Sequence, residues 1–154
     1  RKESKTGLKH TDFKISGDPY MHPKEAALRR DFTINAMGFN LITHEIIDPQ
    51  NGRIDLQKRV LRHVGPAFGE DPLRVLRGIQ FIARFNLNIV PETIAICRQQ
   101  DLSELSVERF EEEFKKLLLK GKYISQGLSV IGKMGLLRFF PEMKHITSQD
   151  LDCL

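Results

Sequence analysis

Tryptophan is absent from the 154 residues, and tyrosine and cysteine occur only twice each. The cysteines, Cys97 and Cys153, lie far apart and in no ligand-like spacing, which excludes a disulfide framework or a cysteine zinc site and fits a reducing cytosol. No apolar run approaches the ~20 residues needed to cross a bilayer, so no membrane partner is expected. The opening stretch RKESKTGLKHTDFK is too charged to be a secretory signal. None of the five histidines (His10, His22, His44, His63, His145) has a partner at zinc-ligand spacing, and no metal site is predicted. Nucleophilic catalysis of the Ser/His/Asp or Cys/His kind has no local signature.

What is present suits one domain, or two small pieces sharing a core, with 40% hydrophobic and 29% charged residues. The net charge of +4 is carried entirely by the first part: 12 Lys+Arg against 8 Asp+Glu through Val64, then 12 of each. A basic start containing Lys2, Lys5, Lys9, Lys14 and Gly7 suits a mobile loop near polyanions, while a solvated tail is the plainer alternative. The chain opens on Arg1, not Met, as expected of a piece of something longer.

Residues 1–19 read as a basic loop with a short strand around Phe13 to Ile15. Pro23 is placed to open a helix carrying Ala26, Ala27 and Leu28, and a second short helix is predicted from Asp31 to Met37. Strands are predicted at 39–42 and 45–47 across a turn at Thr43-His44, and again at 60–64. Beyond Gly65-Pro66 the pattern is helical: Pro72 to Phe85, a helix from Pro91, one from Ser106 to about Lys120, and one from Ile124 to Met134. Leu136 to Pro141 closes the chain as an apolar segment. The fold class is α+β, with strands and helices over 20–65 followed by an all-helical 66–154.

Three stretches could carry chemistry. On the helix after Pro72, Val75, Ile79, Ile82, Ala83, Leu76 and Leu73 share one arc. Glu70, Asp71, Arg74, Phe81, Arg77 and Arg84 share the other, with Asp71 and Arg74 three apart and expected to adjoin. A solvated face with an ordinary Asp–Arg pair is the plainer alternative. In Arg29-Arg30-Asp31-Phe32-Thr33-Ile34-Asn35-Ala36-Met37, helical spacing would put Asp31 and Asn35 on one face beside Arg30. Such a trio can hold a ribose hydroxyl and a phosphate, or Asp31 could simply cap a helix. Asp48-Pro49-Gln50-Asn51-Gly52-Arg53-Ile54-Asp55-Leu56 has too few acids for an EF-hand and reads as a structural turn leading into a helix.

Taken in order, these motifs resemble the class II tRNA nucleotidyltransferases (CCA-adding enzymes) and the related bacterial poly(A) polymerases. The resemblance runs from RKESKTG through RRDFTINAM and IIDPQNGRIDL to LRHVGPAFGEDPLRVLR, then ARF and PET, and more weakly through LSVERFEEE and LLRFFPEM. The LRHVGPAFGEDPLRVLR wording looks more like the CCA-adding branch. It implies the distal part of a nucleotidyltransferase head over 20–65 and a helical neck over 66–154, reading the nucleotide base and binding tRNA. Arg30, Asp31 and Asn35 would select the ribose and hold the nucleotide. Asp71 and Arg74 would template the base, Glu70 would orient Arg74, and Arg77 would contact the triphosphate.

The implied substrates are CTP and ATP, the partner the tRNA 3′ end, and the location the cytoplasm. The resemblance also implies Mg²⁺ held by an upstream Asp-x-Asp pair that is missing ahead of Arg29; Asp150 and Asp152 are spaced that way by coincidence. No catalytic residue is therefore assigned, and the chain alone is expected to be inactive, with self-association possible through an uncovered sheet edge. Gln80 stands where relatives often carry another arginine. A poly(A) polymerase fragment, or a non-catalytic nucleotide- or RNA-binding remnant, are the alternatives.

Overall fold

Backbone pairing begins earlier than the charged opening suggests. The structure, a computed structural model, describes residues 2–5, 13–16 and 20–145. Strand β1 (Lys2–Lys5) pairs antiparallel with β2 (Phe13–Ser16), Lys2 opposite Ser16. The strand expected near Phe13 is thus present, and its partner lies in a stretch read as loop. Ladder bonds are made by the main chain, so a KESK composition hides them. Cys153 and the Asp150/Asp152 pair lie outside the described residues.

Pro23 opens α1 (Pro23–Ala27), with the His22 ring accepting from the Lys24 N–H. The helix predicted from Asp31 to Met37 is only a 3₁₀ turn at Thr33–Asn35. Its approach is extended because the Thr33 N–H donates to the Arg62 carbonyl (3.0 Å) and the Val64 N–H to that of Asp31 (3.1 Å). β3 (Gly38–Phe39) and β4 (Ile46–Ile47) pair antiparallel and are shorter than predicted. Asn40 diverts the chain by accepting from the Ile42 and Thr43 N–H groups through Oδ1.

The dense turn does lead into a helix, α2 (Gly52–Gln57). Asp48 accepts from the Gly52 and Arg53 N–H groups at 2.7 and 2.9 Å, while buried Asp55 accepts from the Thr33 hydroxyl at 2.7 Å. Only glycine fits at 52, where a Cβ would stand 2.1 Å from the Thr33 carbonyl oxygen. β5 (Val60–Leu61) runs into a 3₁₀ turn at Pro66–Glu70, then α3 (Leu73–Phe85) and β6 (Asn88–Ile89), which pairs parallel with β5. Two residues are too few for a sequence pattern, so β6 is not predicted. α4 (Pro91–Arg98), α5 (Val107–Lys120) and α6 (Ile124–Lys133) complete the helices close to their expected places.

α3 is the hub. Val75, Leu76, Ile79, Ile82 and Ala83 are buried, as the apolar arc requires. They join Phe32, Leu61 and Phe68 on the strand side to Leu117, Leu128 and Ile131 on the helical side in one cluster. Phe81, assigned to the polar arc, instead packs edge-on against Phe32 at 5.7 Å. Among the described residues no helix is long and apolar enough to cross a membrane.

Candidate functional site

Asp31 sits at the centre of the predicted Arg30, Asp31 and Asn35 cluster and is buried. Its Oδ1 accepts from the Asn35 side-chain amide (2.7 Å) and the Phe32 N–H (3.1 Å), and its Oδ2 from Arg77 Nε (2.5 Å). The predicted Asp31–Asn35 pair therefore exists, although on a 3₁₀ turn. Arg30 is exposed, and its side chain makes no bond to Asp31.

Arg77 reaches Asp31 across 46 positions of sequence and leans over the Phe81 ring. Burial opposes its cation, but Asp31 outweighs that, with Glu113 and Asp71 adding to it, and the pKa is raised. Its charge is permanent. Placed on the triphosphate by resemblance, Arg77 here spends its Nε on the buried carboxylate.

Asp71 and Arg74 do not pair through their side chains as their spacing predicts. Asp71 precedes α3 with extended backbone (φ −134°, ψ 105°), so helical neighbour geometry does not apply to it. Its carboxylate accepts from the Leu73 N–H at 3.1 Å and from Arg109 Nη2 at 3.1 and 3.2 Å. The Arg74 guanidinium donates to two carbonyls, Ala67 (2.8 Å) and Arg29 (3.1 Å). Glu70 is exposed and makes no bond to Arg74, whose orientation comes from those carbonyls. Gln80 is buried, apart from the partly exposed Arg77 and Arg84.

Both groups keep unused capacity. Asp71 Oδ2 accepts one bond of the two it can take, and Arg74 uses two of its five donors. The Asp71 side chain is 35% exposed. A carboxylate with a free acceptor site and a guanidinium with free donors are thus both carried at the start of α3. The Arg74–Arg29 and Arg77–Asp31 bonds fasten that helix to the Asp31 turn.

Two residues of this site escaped the sequence analysis, Arg109 and Glu113, both on α5. Glu113 is buried, its Oε1 3.0 Å from Lys116 Nζ and 3.9 Å from Arg77 Nη1. The signal was available: Glu113 interrupts a stripe of Phe110, Phe114 and Leu117, where a carboxylate has no reason to be in a merely amphipathic helix.

Residues 2–62 match the family model described as the poly A polymerase head domain. A multifunctional CCA protein of Xanthomonas oryzae pv. oryzae is 46% identical over an alignment of 125 residues that covers 77% of this chain and 30% of that protein. The crystal structure of the Bacillus stearothermophilus CCA-adding enzyme in complex with CTP superposes with a TM-score of 0.69 at 34% identity, covering 75% of this chain and 30% of that one. The Thermotoga maritima CCA-adding enzyme complexed with tRNA gives 0.71 at 30% identity, covering 83% and 33%. The chain spans about a third of the length of these relatives. Its ordered motifs, its fold and these likenesses agree: residues 2–62 belong to the poly A polymerase head-domain family, and the chain as a whole is similar to CCA-adding enzymes.

Proposed function

We propose that this chain is the sugar- and base-selecting segment of a tRNA nucleotidyltransferase that adds C and A to the tRNA 3′ end from CTP and ATP, releasing pyrophosphate. The carrying observation is the double fastening of α3 to the Asp31 turn, which brings two motifs distant in sequence into one polar site. Arg30, Asp31 and Asn35 serve the sugar and phosphate side, Asp71 and Arg74 the base. Glu70 and Arg77 belong to the same binding face. Cytosine and adenine each offer an exocyclic amine beside a ring nitrogen acceptor, which a carboxylate and a guanidinium complement. Uracil and guanine present the reverse, and polar mismatches of that kind reach ~10⁴–10⁵ in discrimination.

Among the described residues no group of three or more His, Cys, Asp or Glu side chains could hold a metal ion, so these residues do not fit the Mg²⁺ that the chemistry requires. Its ligands belong elsewhere in the complete enzyme, and no catalytic residue is assigned here. A tRNA substrate and a buried free thiol at Cys97 suit the cytoplasm. The exposed Phe39, Leu41, Ile42 and Ile46 at the β3–β4 hairpin offer a surface for self-association, measurable by sedimentation.

Asp71→Ala in the complete protein tests the base reading. Its preference for CTP and ATP over UTP and GTP should fall at least about tenfold. Equal loss of all four rates, with unchanged preference, overturns it. The head-domain match also admits a poly(A) polymerase; CTP incorporation equal to that of ATP rejects that reading.

A further inference from the structure

The helix that carries no proposed nucleotide ligand, α5, nevertheless contacts two charged residues of the site. Arg109 and Glu113 are four apart on α5, and each meets a charged residue of the site: Arg109 the Asp71 carboxylate, Glu113 the Arg77 guanidinium. Glu113 is the stranger of the two. It is 4% exposed and lines a small cavity with Leu76, Ile79, Phe114, Leu117, Ile131 and Phe140. Its Oε2 has no hydrogen-bond partner among the described residues. A buried carboxylate with one oxygen unsatisfied opposes folding, and an apolar side chain of similar volume would serve packing better.

We infer that Glu113 is a positioning residue for nucleotide binding, holding Arg77 against Asp31 from the opposite side. Arg77 presents Nε to Asp31 and Nη1 to Glu113, so the two carboxylates fix the plane of its rigid fork. That fixes Asp31 in turn, whose other oxygen holds Asn35. Lys116, at 3.0 Å from Oε1 and shared with Glu112 at 2.9 Å, offsets part of the acid's charge. α5 is thereby linked to the sugar side through one carboxylate and one guanidinium. The inference rests on the assignment of Asp31 to the sugar side.

Its test is Glu113→Gln, which keeps the shape and removes the charge, in the complete transferase that contains this segment. The KM for CTP and ATP should rise between about tenfold and a hundredfold with a smaller change in kcat, and the preference for ribo- over deoxyribonucleotides should fall. Asp31→Ala should also lower that preference, and the double variant should add little to either, because both act through one chain of contacts. In the 154-residue protein, the Arg77 Hε resonance should exchange with water faster in Glu113→Gln than in wild type. If Glu113→Gln does not fold, Glu113→Asp, which withdraws the charge by one methylene, should still raise KM above wild type and lower the sugar preference; a folded Glu113→Asp with both unchanged overturns the inference. A lowered Tm with unchanged KM, sugar preference and Hε exchange makes Glu113 purely structural and overturns the inference. Additive effects in the double variant overturn it too. Unchanged sugar preference in Asp31→Ala removes instead the assignment on which it stands.

Discussion

Two glycines of α6 should respond oppositely to the same substitution. A Cβ at Gly127 would lie 2.7 Å from the Ala83 Cβ of α3, 3.3 Å from the Ile79 carbonyl oxygen and 3.4 Å from Leu117 Cδ1. A Cβ at Gly132 would meet nothing within 4 Å. In an exposed helix, Gly→Ala stabilises by roughly 0.5–1 kcal/mol, because glycine loses more backbone freedom on folding. Gly132→Ala should show some of that gain. At Gly127 the new methyl must instead push α3 and α6 apart by about 1 Å to restore a carbon–carbon contact. Neither partner can rotate away, since one is a backbone carbonyl and the other a Cβ. Overpacking of this kind costs about 1–3 kcal/mol, which exceeds the propensity gain. At about 2–4 °C per kcal/mol for a chain of this size, Gly127→Ala should melt several degrees below wild type and Gly132→Ala slightly above it. Thermal unfolding followed by circular dichroism, with urea midpoints alongside, reads both. A Gly127→Ala protein as stable as wild type, or two variants shifting the same way, would refute the claim that backbone proximity at 127 sets the seat of α3.

His63 gives a pH signature. Burial lowers its pKa, Arg62 adds to that and Glu92 partly opposes it, while its Nδ1 lies 2.8 Å from the Thr93 hydroxyl. Between the folded value and about 6.5 the unfolded chain binds more protons, so this stability is full above about pH 6.5 and is lost as pH falls through the folded value. His63→Asn should flatten the decline of Tm below that pH; an NMR titration placing the ring above the ordinary histidine value rejects the assignment. The Cys97 thiol, pushed by burial up to about 12, should resist iodoacetamide in the native protein and react in urea, as read by peptide mass. Prompt native labelling would place it at the surface. The 154-residue chain, given tRNA lacking its terminal nucleotides, labelled CTP or ATP, and Mg²⁺, should incorporate nothing above a protein-free control. Incorporation by material free of any longer form would require metal ligands that the described residues do not supply.

Much of the scaffold was legible because it depends on local periodicity. The apolar arc of α3 and the Ser106 start of α5 both follow from spacing and capping alone. Asp31 and Asn35 could be paired because they are four residues apart, even though the turn that joins them is tighter than a helix. What stayed hidden depends on distance in sequence or on groups every residue has. Arg109 reaches Asp71 from 38 positions away, and nothing at either place names the other. Arg74 is held by two main-chain carbonyls, which leave no trace in composition. The Asp71 error has a simpler cause: a helical rule was applied two residues ahead of the helix.

On the proposed base-reading role, the way Arg74 is held bears on how specificity could be moved between proteins. A short stretch such as Glu70 to Arg77 looks like a cassette that could be transplanted to confer a preference for amine-bearing bases. Its arginine, however, takes its aim from the carbonyls of residues 29 and 67, and its acid is steadied from residue 109. A recipient lacking those three supports would receive the letters of the motif without their orientation. Transplantation should therefore work only in units that include the Asp31 turn and the first turns of α5, and sequence changes at 109 should travel with changes at 71.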